Sequence, residues 1–381
     1  MSSPLRVLHV ASGDLWAGAE VQAYTLMSHL VRVPGTAIGA VLLNDGTLAA
    51  KLRTAGVDVF IADEQQSGAF GILVRLRHVL MSWRPDLVHT HRGKENILGA
   101  VANRLSGNVP CVRTAHGGNE RHPTRGTRGA VNRAILGLDQ WCGRVLQQKI
   151  VAVSEPLGEE LAGVFGLGKI TVIENGIDVD VVRAERQLAD FRRKEPNATH
   201  IGIVGRLVDV KRVDLFVAMA DLLTAAFPQR QWRFHVFGDG PLRPMLEGQA
   251  RQLQHSGQLQ FHGHRADIAT CMGGLDVLVN CSDHEGLPMT ALEASALGIP
   301  MVAHAVGGLK NVVPQEFLVV RHDPVGYKES VIRALRDDAR AIATRKATSI
   351  LERFSARRTA ERTRAMYEQL IAAAGERTVD K

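Results

Sequence analysis

Short apolar runs recur along the chain, and between them the apolar positions change to a helical spacing. Residues 5–11, 37–43, 57–61, 87–90 and 109–115 read as strands, with helix-period stretches near 48–55, 72–83 and 97–105. The alternation resumes with a strand at 149–153, a helix from Ser154 and a strand at 170–173. From 179 to 200 the chain is charged, shows little apolar period and carries Pro196-Asn197, so it reads as a linker. A second set follows, with strands at 201–206, 232–237, 259–261, 275–280 and 299–303, and the chain closes on an arginine-rich helix over 354–373. Strands alternating with helices imply parallel sheets with right-handed crossovers. The expected fold class is therefore α/β, with two Rossmann-like parallel-sheet domains over 1–178 and 201–353.

The chemistry concentrates in one βαβ unit, between the strands at 275–280 and 299–303. Pro288 suits the first helical position, where its missing N–H is no loss, and Gly298 suits the end. Glu285 then stands just outside the helix and Glu293 eight positions on, roughly 12 Å away if the whole span were helical. Between them the N–H groups of Gly286, Leu287, Met289 and Thr290 would face the positive end of the helix dipole, where an anion can sit. Carboxylates on both sides of a phosphate-sized hole match the polarity of a nucleoside diphosphate sugar. A capped helix whose Glu293 is merely solvated fits the same pattern.

Other strand ends carry similar features. The turn after the first strand holds Gly13 and Gly18, five apart and so not a dinucleotide fingerprint. The strand 201–206 ends in Gly205-Arg206, with Lys211 following. Arg206 as a fork and Lys211 as a point charge suit a diphosphate, although an ordinary surface pair reads the same way. His116 sits at the carboxyl end of the strand 109–115, beside Gly117-Gly118. His89 and His91 share one strand face, but the sequence offers no third metal ligand beside them.

Composition narrows the setting. The 381 residues are 45% hydrophobic, enough for real cores, and no apolar run approaches the roughly 20 residues of a membrane helix. Met1-Ser2-Ser3-Pro4 runs straight into a strand without a signal peptide. Cys111, Cys142, Cys271 and Cys281 have no metal or disulfide spacing, so reduced, buried thiols and a cytoplasmic setting are expected. The net charge of +7 is uneven: residues 92–149 hold ten Lys/Arg against three Asp/Glu. Arg121, Arg125, Arg128 and Arg133 suit anionic lipid headgroups or an acidic acceptor, or simply a solvated loop. Nucleic acid is disfavoured, because no aromatic side chains interleave with these arginines.

The ordered set of motifs resembles retaining, nucleotide-sugar-dependent glycosyltransferases of the GT-B fold, the family 4-like group that includes sucrose synthases and bacterial mannosyl- and N-acetylglucosaminyltransferases. The residues that carry the resemblance are Gly18-Ala19-Glu20, His116, Val153-Ser154-Glu155, Asn175-Gly176-Ile177-Asp178, Gly205-Arg206 with Lys211, Gly238-Asp239-Gly240-Pro241 and the EX7E pair Glu285 and Glu293. It implies two domains facing a common cleft, with the final helix crossing back onto the first. Glu285 would bind hydroxyls of the donor sugar, Gly286, Leu287, Pro288 and Met289 its phosphates, and Glu293 the ribose. Arg206 and Lys211 would hold the diphosphate, His116 would contact the sugar near its reacting carbon, and Gly18 would let the first loop close on the phosphates. The implied reaction needs no metal and no cofactor beyond the nucleotide sugar, and its acceptor is a glycan or a lipid-linked glycan. A nucleotide-sugar-binding protein without catalysis is the alternative. Asp178-Val179-Asp180 spells the DxD of metal-dependent transferases of another fold, but lies in the Asn175-Gly176-Ile177-Asp178 turn. Three departures stand out: Trp16-Ala17-Gly18 where two adjacent glycines are frequent, Arg212 where glycine follows the lysine, and Asn311 in place of an acid.

Overall fold

Most strand positions are apolar, as expected of strands covered by helices on two sides, although the strands Leu5–Ala11, Leu87–His91 and Cys111–Ala115 also bury His9, His89, His91 and Arg113. The computed structural model describes residues 3–13, 16–117 and 127–379, without the side chains of 127–129 and 377–379. Two units result, Met1–Gly176 with Ala356–Lys381, and Ile177–Ser355.

In the first unit, β1 (Leu5–Ala11), β2 (Thr36–Leu42), β3 (Asp58–Ile61), β4 (Leu87–His91), β5 (Cys111–Ala115), β6 (Lys149–Ala152) and β7 (Ile170–Val172) form one sheet in the order β3-β2-β1-β4-β5-β6-β7. All its neighbours are parallel. The helices are α1 (Gly18–Leu30), α2 (Thr47–Thr54), α3 (Ala69–Trp83), α4 (Gly93–Arg104), α5 (Thr127–Val145) and α6 (Glu155–Phe165). One face of the sheet packs on α1, α2 and the last helix, Ala356–Val379, through Leu26, Met27, Leu48 and Leu52 with Ala360, Met366 and Tyr367. The other face packs on α3, α4 and α5 through Leu76, Val79, Ala100 and Cys142. The last helix is held by more than apolar contact. Thr359 donates to the Glu174 carbonyl at 3.1 Å, and Arg364 to that of Pro34 at 2.7 Å. The sequence pattern does not anticipate α5.

The second unit repeats the plan. Strands β8 (Thr199–Val204), β9 (Trp232–Phe237), β10 (Leu259–Gly263), β11 (Val277–Asn280), β12 (Met301–His304) and β13 (Leu318–Val319) run parallel in the order β10-β9-β8-β11-β12-β13. Its helices are α7 (Val179–Glu185), α8 (Asp190–Lys194), α9 (Val213–Ala226), α10 (Arg243–Gln249), α11 (Arg251–His255), α12 (Ile268–Gly273), α13 (Met289–Leu297), α14 (Leu309–Val312), α15 (Pro324–Ala334) and α16 (Ala339–Arg353), leaving Ala356–Val379 as α17.

The stretch 179–200, read as a linker, instead carries α7 and α8 and belongs to the second unit. Its anchors are polar or single rings, so no apolar period betrays them. Asp178 caps α7 by accepting the Val181 N–H at 3.2 Å, which accounts for one acid of the DxD spelling. Arg183 donates to the Ala296 carbonyl at 3.0 Å, and the Phe191 ring lies 4.1 Å from that of His235. All four cysteines are buried free thiols. Among the described residues no helix is long and apolar enough to cross a membrane.

Candidate functional site

Strand order reverses in the second unit between β8 and β11, and the carboxyl ends of strands at such a point are where open α/β sheets take ligands. The loop after β8 carries Gly205, Arg206 and Lys211, and the loop after β11 carries Glu285. The Lys211 ammonium bridges the two, 2.6 Å from Glu285 Oε1. Ser282 Oγ and Asn280 Nδ2 donate to the same oxygen at 2.7 and 3.1 Å. Burial opposes the charge on Glu285. Lys211, Ser282 and Asn280 outweigh it and hold the carboxyl below its usual range. A carboxylate and an ammonium are thus fixed side by side before any ligand arrives.

Backbone contacts shape both loops. Gly308 N–H donates to the Gly286 carbonyl at 2.6 Å, and Gly307 lies so close that a Cβ there would stand 1.8 Å from the Glu285 carbonyl oxygen. On the other side, Gly205 N–H donates to Phe237 at 3.0 Å and Leu207 N–H to Asp239 at 2.9 Å. Any Cβ at Gly238 would fall 1.9 Å from the Gly205 carbonyl, so the Gly238-Asp239-Gly240-Pro241 motif moulds the Gly205-Arg206 turn. At Gly205 itself a Cβ would meet only the Lys211 methylenes, at 3.7 Å. Arg206 is exposed on that turn.

Helix α13 begins one residue later than the sequence suggests. Pro288 is extended, with ψ 136°, and acts as N-cap rather than as the first helical residue; Gly298 ends the helix at φ 66° as expected. The amides of Gly286 and Leu287 therefore lie in an extended loop, and those of Met289 and Thr290 open the helix and have no carbonyl of its own to reach. The Leu287 and Met289 side chains are buried.

Glu293 departs from the simplest reading. It is not solvated but 7% exposed, inside α13. Burial, with the nearby Glu185 charge, pushes its carboxyl up to about 7. A folded value above the ordinary 4.5 means that this group's contribution to stability is complete below pH 4.5 and is lost as the pH rises through 7. Glu293→Gln is accordingly expected to be more stable than the parent above pH 7, by up to about 3 kcal/mol, and so to melt higher there, and to converge with it near pH 4.5. Thermal melts of both proteins against pH check this, and parallel curves would contradict it.

Arg212 enters the sequence reading only as a departure, and Asp214, Asp283 and His322 do not enter it. Arg212 adopts the left-handed conformation, φ 47°, a region that glycine enters without strain. Its guanidinium grips Asp214 at 3.0 Å and reaches Asp283 at 3.5 Å, while His322 Nε2 meets Asp283 at 2.9 Å. Asp283 N–H also donates to the Val210 carbonyl at 2.9 Å. These contacts tie the Lys211 loop to the Glu285 loop beside the central pair. Asn280 and Ser282 are missed as well. Their polar character at the end of an apolar strand was the available signal.

The first unit has its own bridge at the reversal between β1 and β4, Arg92 to buried Glu20 at 2.9 Å. Gly18 opens α1, and a Cβ there would meet nothing within 4 Å. His116 follows β5, its Nε2 3.3 Å from His91 Nδ1. Burial, then the charges of His91 and Arg92, keep His116 a neutral imidazole well below the usual range. The row continues: His91 Nε2 lies 3.0 Å from His9 Nδ1.

The third imidazole that sequence spacing does not supply is therefore His9, from β1. His9, His89 and His91 each bring a nitrogen within 4.8 Å of the others. Their rings stack at 15–35°, however, and His89 already meets Tyr367 Oη at 2.5 Å and Thr114 Oγ1 at 2.7 Å. Lone pairs lie in the ring planes, so near-parallel rings do not converge on a point about 2 Å from each. The group is built as a hydrogen-bonded ladder supporting His116. Arg121 and Arg125 lie outside the described residues, as does the side chain of Arg128, whereas Arg133 is exposed on α5.

Two parallel-sheet α/β units of seven and six strands fit the GT-B fold of glycosyltransferases. Comparison with known proteins identifies the chain within that class: residues 16–181 match the model of Glycosyltransferase Family 4 and residues 198–337 that of Glycosyl transferases group 1. The two matches together span most of the chain and, with its fold, make it a glycosyltransferase of GT-B fold. It is 30% identical to glycogen synthase of Mycobacterium tuberculosis over 72% of its own length and 65% of that relative, so it spans just under two thirds of it. It is 26% identical to UDP-Gal:alpha-D-GlcNAc-diphosphoundecaprenol alpha-1,3-galactosyltransferase of Escherichia coli, over 78% of this chain and 79% of the other. Among solved structures, Anabaena HepE in complex with UDP-glucose superposes with a TM-score of 0.79 at 18% identity, covering 96% of this chain and 99% of that one. Sucrose-phosphate synthase of Thermosynechococcus elongatus gives 0.73 at 19% identity, over 97% and 100%.

Proposed function

We propose that the protein is a retaining, metal-independent glycosyltransferase that moves a hexosyl or N-acetylhexosaminyl group from a nucleotide diphosphate sugar to a glycan or lipid-linked acceptor in cell-surface polysaccharide or lipopolysaccharide assembly. The observation that carries this reading is the Lys211–Glu285 pair at the β8/β11 reversal, beside the first amides of α13. When donor binds, Glu285 exchanges the lysine for sugar hydroxyls, and Lys211, with exposed Arg206, turns to the diphosphate. The bond from the anomeric carbon to the phosphate oxygen breaks as the acceptor oxygen attacks from the same face, and the acceptor proton passes to the departing phosphate. Lys211 and Arg206 offset the charge that grows there, which accelerates the step because the charge is greatest in the transition state. Glu293 takes the ribose hydroxyls, Gly18 the approach of the phosphates, and neutral His116 the sugar near its reacting carbon.

A UDP-sugar is the favoured donor, because UDP-glucose occupies HepE and UDP-Gal is named in the E. coli transferase. The diphosphoundecaprenol in that second name supports a lipid-linked acceptor, met at the inner face of the membrane with Arg121, Arg125, Arg128 and Arg133 toward anionic lipid. UDP-, GDP- and ADP-sugars are to be screened for release of free nucleotide on addition of acceptor. Release that needs acceptor supports transfer; tight nucleotide-sugar binding without release would favour a binding protein instead.

The Arg212 tie has its own consequence. Arg212→Gly removes a left-handed side chain costing about 1–2 kcal/mol and an ion pair worth about 0.2–1 kcal/mol. The melting temperature is therefore expected to hold or rise while the donor KM increases severalfold, because Lys211 loses its register with Glu285. A lower melting temperature with unchanged KM would contradict this role.

A further inference from the structure

The layer α3–α4–α5 covers one face of the first sheet, with α4 packed between the other two helices. Its outer surface is unusual for a helix layer. On α3, Phe70, Val74 and Met81 are exposed, Phe70 by 79%. At helical pitch they fall within roughly 40° of arc, with Arg77 beside them. On α5, Val131, Leu138, Trp141 and Val145 are exposed and span roughly 80°. Single exposed apolar residues need no explanation, but two aligned stripes on one layer mark an interaction surface.

The charges on this layer are of one sign. Arg75, Arg77, Arg104, Arg133 and Arg144 are exposed. The three helices contain two acids, and both are turned inward: Glu95 is buried, and Asp139 is paired with Arg113 at 2.9 Å. A second copy of the chain would bring like charges together. A nucleic acid would leave the stripes of Phe, Val, Leu and Trp without apolar partners. An anionic bilayer satisfies both features, because its headgroups take the arginines and its acyl boundary takes the apolar side chains, with Trp141 at the level where indoles settle.

We propose that the outer face of α3–α4–α5 is a docking surface for an anionic lipid bilayer. It rests on and deepens the membrane contact proposed above, extending it from a basic segment to a built surface. It is independent of the donor site, so vesicle binding and sugar transfer can fail separately.

The full chain is to be sedimented with phosphatidylcholine vesicles, with and without phosphatidylglycerol. Binding is expected only with the anionic lipid, accompanied by a blue shift of tryptophan emission. Arg133→Gln with Arg144→Gln should weaken binding about fivefold per arginine. Leu138→Gln with Trp141→Gln should weaken it further at low salt and abolish the blue shift. These positions are exposed, and melting curves confirm that the variants fold. Absence of sedimentation, equal binding by the variants, or a dimer in light scattering that the Leu138/Trp141 variant dissociates would each overturn the proposal.

Discussion

Lys211→Ala is expected to lower the turnover of sugar transfer by about 10²–10³-fold, the cost typical of removing one fixed charge-stabilising donor. The ammonium is 2.6 Å from Glu285 Oε1, and that carboxylate is only 9% exposed. Its loss therefore has a second effect. Glu285 is held ionised against burial by Lys211 first, then by Ser282 and Asn280. A carboxyl whose folded value is depressed contributes stability above its unfolded value, and that contribution disappears as pH falls through the folded one. The variant should thus melt lower than the parent at pH 7, and the gap should close in acid. Adding Glu285→Gln removes the unpaired charge and is expected to recover melting temperature without recovering turnover. Initial rates with saturating donor, and melts across pH, check both parts; undiminished turnover in Lys211→Ala would remove the lysine from the chemistry.

Gly307→Ala is expected to be the most damaging single methyl in the site. Its Cβ would stand 1.8 Å from the carbonyl oxygen of Glu285, at φ 51°, so the Glu285–Gly286 backbone or the Gly307–Gly308 turn must move. The left-handed conformation and the forced shift together cost about 2–4 kcal/mol, and the displacement carries Glu285 away from Lys211. Donor binding should fall below detection. Gly248→Ala is the control, since a methyl there meets nothing within 4 Å and should lower neither the melting temperature nor the UDP affinity. Calorimetric titration with UDP and thermal melts of both variants provide the comparison; full UDP affinity in Gly307→Ala would mean that the two loops are not coupled.

Much of this architecture was legible in the chain. Parallel strands covered on both faces are short apolar runs, so β11 and β12 stand out, and the glycines after them, Gly286 and Gly307-Gly308, mark the turns that approach ligand. What sequence could not show was how long-range pairing uses polar residues. Nothing local joins Lys211 to Glu285, or His9 to His91 across 82 positions. Short helices anchored by one arginine or one ring, such as α7 and α8, carry no period to read. The burial of Glu293 was equally invisible, because a glutamate in a helix looks solvated until α7, with Glu185, is seen to pack on α13. Arg212 read as a departure from glycine and proved to be a cross-link between the two loops.

The most direct measurement of the central claim is a crystal structure of the protein with a UDP-sugar bound. Diphosphate oxygens within hydrogen-bond reach of Lys211 Nζ and the first amides of α13, with sugar hydroxyls on Glu285 in place of the lysine, are the expected result. A nucleotide seated elsewhere, with the Lys211–Glu285 bridge still closed, would contradict the account.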